Sequence, residues 1–157
     1  DLEEWFYQGS TLITKNGTTF DLPIASKEIS EGGCGVRTQL ENFLQPPKVK
    51  ETRYGDKEMP PKHIDICQYL RKESDGYRFS LANLIRGCLG ESEGKLMPAA
   101  EAPKAWSEGK HREVLAYCCG DAKHTTEIFY FGRREGRILA VGKKEGDEKD
   151  MKVKVMW

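Results

Sequence analysis

The chain has little of what marks most functional classes on sight. Its 157 residues hold 25 Lys and Arg against 25 Asp and Glu, so no global field draws in nucleic acid or an acidic membrane. A mean hydropathy of −0.66, with no apolar run near the ~18 residues a span requires, excludes a transmembrane helix and leaves no membrane partner to expect. Five cysteines, an odd number, include no Cys-x-x-Cys pair and two neighbours, Cys118-Cys119. That usage fits neither a disulfide framework nor a zinc knuckle, so the expectation is a cytoplasmic, reducing setting with no metal and no other cofactor. There is no internal repeat and no low-complexity tract. The length suits one domain over residues 1–157, and a chain that opens on Asp1 reads as a piece of something longer.

What is present is organised around Ile29 to Leu44, a glycine-rich turn that delivers Cys34 to the start of an expected helix. Val36, Leu40, Phe43 and Leu44 recur at helical spacing, and Pro46-Pro47 then stop the pattern. A cysteine at that first turn meets the positive end of the helix dipole, which favours thiolate over thiol. Gly32, Gly33 and Gly35 leave main-chain N–H groups uncovered beside it, as an oxyanion needs.

Along the rest of the chain, Thr11-Leu12-Ile13-Thr14, Asn16-Gly17 and Thr19 to Ile24 read as a β-hairpin with a type I′ turn. Residues 46–62 read as a polar loop, His63 to Arg71 as a helix, and Leu81 to Leu89 as a second helix between Ser80 as N-cap and Gly90. A second long loop covers 90–109. Val114–Cys118, Thr126–Phe131, Ile138–Val141 and Met151–Met156 read as four strands of an antiparallel meander. Helices over about 28–92 and strands over about 111–157 make an α+β domain in two layers.

A thiolate nucleophile needs a general base, and only three histidines are available. His63 reads as a solvated residue beside the polar loop. His124, at the turn between two expected strands, is the first choice, and His111, where a loop passes into a strand, is the second.

This layout resembles the papain-like cysteine proteases of RNA viruses, in particular the picornavirus leader proteases and, around the cysteine, the arterivirus and ovarian-tumour-type deubiquitinating proteases. The residues behind the resemblance are the Leu12 to Phe20 hairpin, the cysteine-bearing helix ending in Asn42-Phe43-Leu44, the strand, His124, strand order of the last third, and Glu31-Gly32-Gly33-Cys34. It implies a papain-like fold in which the Cys34 helix packs on the C-terminal sheet. Cys34 would be nucleophile and His124 acid/base, and the substrate a polypeptide: a viral polyprotein, ubiquitin or a ubiquitin-like protein. The residue that orients the histidine is open: a dyad suffices, or Glu145 or Asp147 reaches back, or His111 is the base and Glu127 orients it. A rival reading is a non-catalytic viral or host interaction module that binds protein or RNA through Lys48 to Arg53 and through Arg133-Arg134 beside Phe129-Tyr130-Phe131. On the enzyme reading a nucleic-acid partner is not expected.

Overall fold

Local signals are followed most closely at Leu81–Leu89, which forms a helix (here α3) with the expected ends. Ser80 Oγ accepts the N–H of Asn83 at 3.1 Å, and Gly90 closes the helix in the left-handed conformation at φ 73°. The computed structural model describes residues 11–31, 63–90 and 97–157, and the chain divides into two units, 1–65 and 66–157. The cysteine-bearing helix expected over 36–44, Cys34 itself and the basic stretch 48–53 lie outside the described residues.

In the first unit, β1 (Leu12–Thr14) is followed by α1 (Asp21–Glu31), and β2 (His63–Asp65) pairs with β1 in parallel, Leu12 opposite His63 and Thr14 opposite Asp65. The hairpin expected over 11–24 is therefore not formed. Asn16 does turn the chain at φ 72°, but the Asn16 and Thr18 N–H groups are turned to the Asp65 carboxylate rather than across to a second strand. The segment from Asp21 then winds into a helix, with Pro23 in the first turn, where its missing N–H costs nothing.

The second unit holds α2 (Ile66–Glu73), α3, a 3₁₀ turn (Ala99–Glu101), α4 (Ala102–Ser107), α5 (His111–Glu135), β3 (Arg137–Lys144) and β4 (Asp147–Lys154). The helix expected from His63 starts instead at Ile66, after β2. The first two strands of the expected meander are turns of α5. Its buried residues Val114, Tyr117, Thr125, Ile128, Phe129 and Gly132 recur at spacings of three, four and their sums, which is a helical stripe. The strand-forming run Thr126 to Phe131 thus yields to the face it must bury. The other two strands form an antiparallel ribbon, Arg137 opposite Lys154 through Lys144 opposite Asp147. Glu145 and Gly146, both at positive φ, make the two-residue turn. The described elements are those of an α+β protein.

The core of this unit is fully buried Ile66, Leu70, Leu84, Ile85, Ile128 and Ile138, each worth ~1.5–3 kcal/mol of apolar burial. α3 lies along the edge of β3 that faces away from β4. Asn83 Nδ2 donates to the Val141 carbonyl at 3.0 Å, and the Cys88 thiol donates to that of Leu139 at 3.3 Å. On the same edge Arg78 exchanges two backbone hydrogen bonds with Lys143. A strand edge that would otherwise invite pairing is thereby covered. Trp157 closes the far end, its Nε1 donating to the Phe129 carbonyl at 3.1 Å and its ring stacked on Phe129 at 5.8 Å.

Candidate functional site

Among the described residues, carboxylates in each unit are held by hydrogen bonds from their neighbours. In the first, Asp65 ends β2 and is buried, and its two oxygens accept the N–H groups of Asn16 and Thr18 at 2.9 Å each. Thr19 Oγ1 donates to Asn16 Oδ1 at 2.8 Å, and the Leu22 N–H donates to the Gly17 carbonyl at 2.9 Å. This turn is tight. A Cβ at Gly17 would collide with the Thr14 side chain. The turn sets Asp21, exposed, at the first position of α1, between exposed Phe20 and Ile24. Partial burial first, and the Asp65 charge second, hold the Asp21 carboxyl above the usual carboxylate range. Asp65 is thus occupied by the backbone, and Asp21 is the carboxylate that faces outward.

Asp65→Asn should cost about 1.5 kcal/mol in chemical denaturation, because an amide oxygen replaces only one of two charged acceptors and leaves a turn N–H without a partner. The same substitution removes one cause of the raised Asp21 pKa, so the Asp21 titration should move down.

In the second unit one such carboxylate is Asp121, on the middle of α5. Tyr117, one turn earlier, is buried and hydrogen-bonded to it. Burial, and then the Asp121 hydrogen bond and charge, push the Tyr117 hydroxyl up to about 12. It is therefore a neutral donor to Asp121 at any physiological pH. Thr125 Oγ1 donates to the Asp121 carbonyl at 2.7 Å and Thr126 Oγ1 to that of Ala122 at 3.0 Å, bonds that tie the hydroxyls into the helix itself. Because an unfolded tyrosine ionises near ~10, the native state binds the Tyr117 proton more tightly. Its contribution is complete below that pH and lost between about 10 and about 12. A tyrosinate absorbance titration should show one of the six tyrosines ionising last, and Tyr117→Phe should delete that step.

The residues singled out by the sequence do not share a described site. Cys34 lies outside the described residues. His124 sits within α5 rather than between two strands, and His111 is the first residue of α5, its Nε2 3.1 Å from the Trp106 carbonyl and its ring 4.3 Å from that of Trp106. His63 stands in β2, its Nε2 2.9 Å from Thr14 Oγ1. Glu127 lies on α5, Glu145 in the ribbon turn, and Asp147 starts β4, where it accepts the Tyr77 hydroxyl proton at 2.6 Å. Asp21, Asp65, Tyr117 and Asp121 escaped the sequence reading. The sign for the last two was there: tyrosine and aspartate four apart on a helical stripe.

Among the described residues no three His, Cys, Asp or Glu side chains come together as a metal cage. Of Asp21 and Asp121, only Asp21 is exposed; a single exposed carboxylate is the kind of protein ligand that a magnesium ion takes once or twice, filling its other positions with water and substrate phosphate. Burial first, and the Asp65 charge second, raise the Asp21 pKa, and a bound cation would offset the second of these. No helix among the described residues is long and apolar enough to cross a membrane.

Comparison with known proteins points away from proteolysis. The chain is similar to DNA polymerases of Thermococcus litoralis, Pyrococcus glycovorans and Thermococcus aggregans, 30% identical in each case over 122 residues and 74% of its length. It spans 7, 15 and 6% of those relatives. No family model and no solved structure matches. The resemblance to viral papain-like proteases and deubiquitinases is therefore corrected, and with it the expectation of a viral cysteine endopeptidase or a viral or host interaction module. The motifs behind it were short, and several rested on strands that do not form: the Leu12 to Phe20 hairpin is a turn into α1, and the strands flanking His124 are one helix.

Proposed function

We propose that this chain is a DNA-acting segment of a polymerase-type protein, and that it hydrolyses the phosphodiester backbone with carboxylates rather than attacking a carbonyl with a thiolate. The observation that carries this reading is the similarity to three archaeal DNA polymerases across three-quarters of the chain. A segment spanning 6 to 15% of such proteins supports one task of the whole, not polymerisation itself. Hydrolysis of a strand is the smaller task. It needs one strand and water, where nucleotide addition needs a template and a triphosphate as well. Its partner is nucleic acid instead of a polypeptide, and a papain-like arrangement of layers has no part in it.

The two carboxylates have the same duty, each within its own unit. Asp21, outward-facing at the start of α1, would hold a divalent cation, as would Asp121, hydrogen-bonded to the neutral Tyr117 hydroxyl. A bound magnesium ion supplies charge stabilisation at phosphorus and a water of lowered pKa. Water oxygen attacks phosphorus, the bond to the leaving sugar oxygen breaks, and that oxygen leaves with a proton. The test is incubation of the chain with end-labelled single-stranded DNA and magnesium. Stepwise shortening is expected, since a polymerase works at the end of a strand, and EDTA should stop it. A chain that neither binds nor shortens the strand overturns the reading.

A further inference from the structure

The β3–β4 ribbon has two unlike faces. Residues directly opposite in an antiparallel pair point the same way and alternate along each strand. Ile138, Ala140 and Val153 are buried on one face. The other carries Arg137 opposite Lys154, Leu139 opposite Lys152, Val141 opposite Asp150 and Lys143 opposite Glu148. Charge on this outer face is sorted along its length. At the turn end Lys143 is ion-paired with Glu148. At the other end Arg137, Lys152 and Lys154 come together, with Asp150 the next residue along the same face of β4.

Two features of that end are unfavourable in the protein alone. Arg137 and Lys154 are like charges directly opposite, a destabilising cross-strand pair. Arg137 Nε is buried with no hydrogen-bond partner among the described residues, and the Glu135 carboxylate, which feels the Arg137 charge, already accepts from Arg134 Nε at 2.9 Å. Beside Lys152 a groove of about 350 Å³ runs between the ribbon and α3, lined by Asn83, Leu139, Val141 and Asp150 and flanked by the exposed Arg86. Lys152 and Lys154 lie ~7 Å apart along the strand, so neighbouring cations can take successive phosphates of one strand.

We propose that this end of the ribbon, with Arg137, Lys152 and Lys154 and with Arg86 at the rim of the groove, binds the phosphate backbone of a single DNA strand. The inference rests on the DNA-acting reading above and extends it to residues other than Asp21 and Asp121. A strand supplies the acceptor that Arg137 Nε lacks and neutralises the Arg137–Lys154 repulsion. The fork of an arginine beside point-charge lysines suits phosphate. A protein partner is less suited, because the apolar side chains on this face of the ribbon, Leu139 and Val141, are half-buried.

The test is fluorescence anisotropy with a labelled oligothymidylate across a salt series. The variant is Arg137→Gln/Lys152→Gln/Lys154→Gln, and Lys143→Gln/Lys144→Gln at the turn end is the control. Loss of three phosphate contacts should weaken binding at least about 10-fold and flatten the salt dependence by about 2 in log–log slope, at roughly 0.7 per phosphate on a single strand. The control should match the wild type. The triple variant should melt no lower than the wild type, since it removes a like-charge pair. Equal affinity and slope in the triple variant and the wild type overturn the surface while leaving the DNA-acting reading in place. A wild-type chain that does not bind the oligonucleotide overturns both.

Discussion

Asp21→Asn is expected to slow the magnesium-dependent shortening of single-stranded DNA about 100-fold while leaving the protein as stable as before. A metal contributes several kcal/mol to such a step, and each ~1.4 kcal/mol is tenfold in rate, so weakening its hold by about 3 kcal/mol gives that factor. Stability should hardly move, because two small effects oppose. The substitution removes the repulsion from Asp65 that helps raise the Asp21 pKa, and it also removes a negative charge from the first turn of α1, worth ~0.3–1 kcal/mol against the helix dipole. The pH dependence has a definite sign. A carboxyl whose folded pKa is raised costs stability as pH climbs through the interval between its unfolded and folded values, and the Asp21→Asn protein should lack this small decline. Asp121→Asn should give a comparable loss of activity and, in addition, lower the Tyr117 pKa by replacing a charged acceptor with a neutral one. Cys34→Ser should leave the rate unchanged. Full activity in Asp21→Asn would remove that carboxylate from the chemistry.

Gly87→Ala should be the most damaging single methyl addition in the second unit. Inside a helix alanine is favoured over glycine by ~1 kcal/mol, so propensity alone predicts stabilisation. Here the new Cβ would collide with the Leu139 carbonyl oxygen and lie 2.6 Å from its carbon, backbone atoms of a paired strand that cannot swing aside. α3 would have to lift off β3 and would carry with it the Asn83 and Cys88 hydrogen bonds to that edge. Overpacking of this kind costs ~1–3 kcal/mol and more where backbone must move, so a net loss of about 3 kcal/mol is expected in urea denaturation. Gly90→Ala is the contrast. No atom lies within 4 Å of its Cβ position, and the left-handed φ of 73° is the only obstacle, which costs about 1 kcal/mol. A Gly87→Ala protein as stable as wild type would mean that α3 does not press on the strand.

Some of this architecture was legible in the chain because its causes are local. Ser80 and Gly90 delimit α3 with no help from elsewhere. The alternation of Ile138, Ala140 and their neighbours marks β3, although the charged run from Lys143 to Asp150 concealed how far the ribbon extends past Gly142. Gly142 itself belongs to the strand, since a Cβ there would strike Met151 and Phe79. The α+β class was expected from helices first and strands last, and it stands although residues 111–135 are helical and the order is not so segregated.

The candidate site was hidden for the opposite reason. Asn16-Gly17 has the composition of a hairpin turn, and nothing near it in sequence says that its N–H groups will meet Asp65, 49 residues on from Asn16. The run around Ile128 prefers strand residue by residue, yet it is helical because Val114, Tyr117, Ile128 and Phe129 must share one buried face of α5. Cys34 drew attention because a glycine-framed cysteine is conspicuous as a motif, whereas a single outward aspartate is not.

The amino-acid order by itself determined the caps of α3 and the pairing tendency of the ribbon, since these depend on residues within a turn or two of one another. Only tertiary structure decided that β1 pairs in parallel with β2, that α5 is one helix, and that Asp65 is spent on the turn while Asp21 faces outward. Those outcomes depend on burial and on hydrogen-bond partners brought together from distant parts of the chain, where cooperative packing outweighs each residue's own preference.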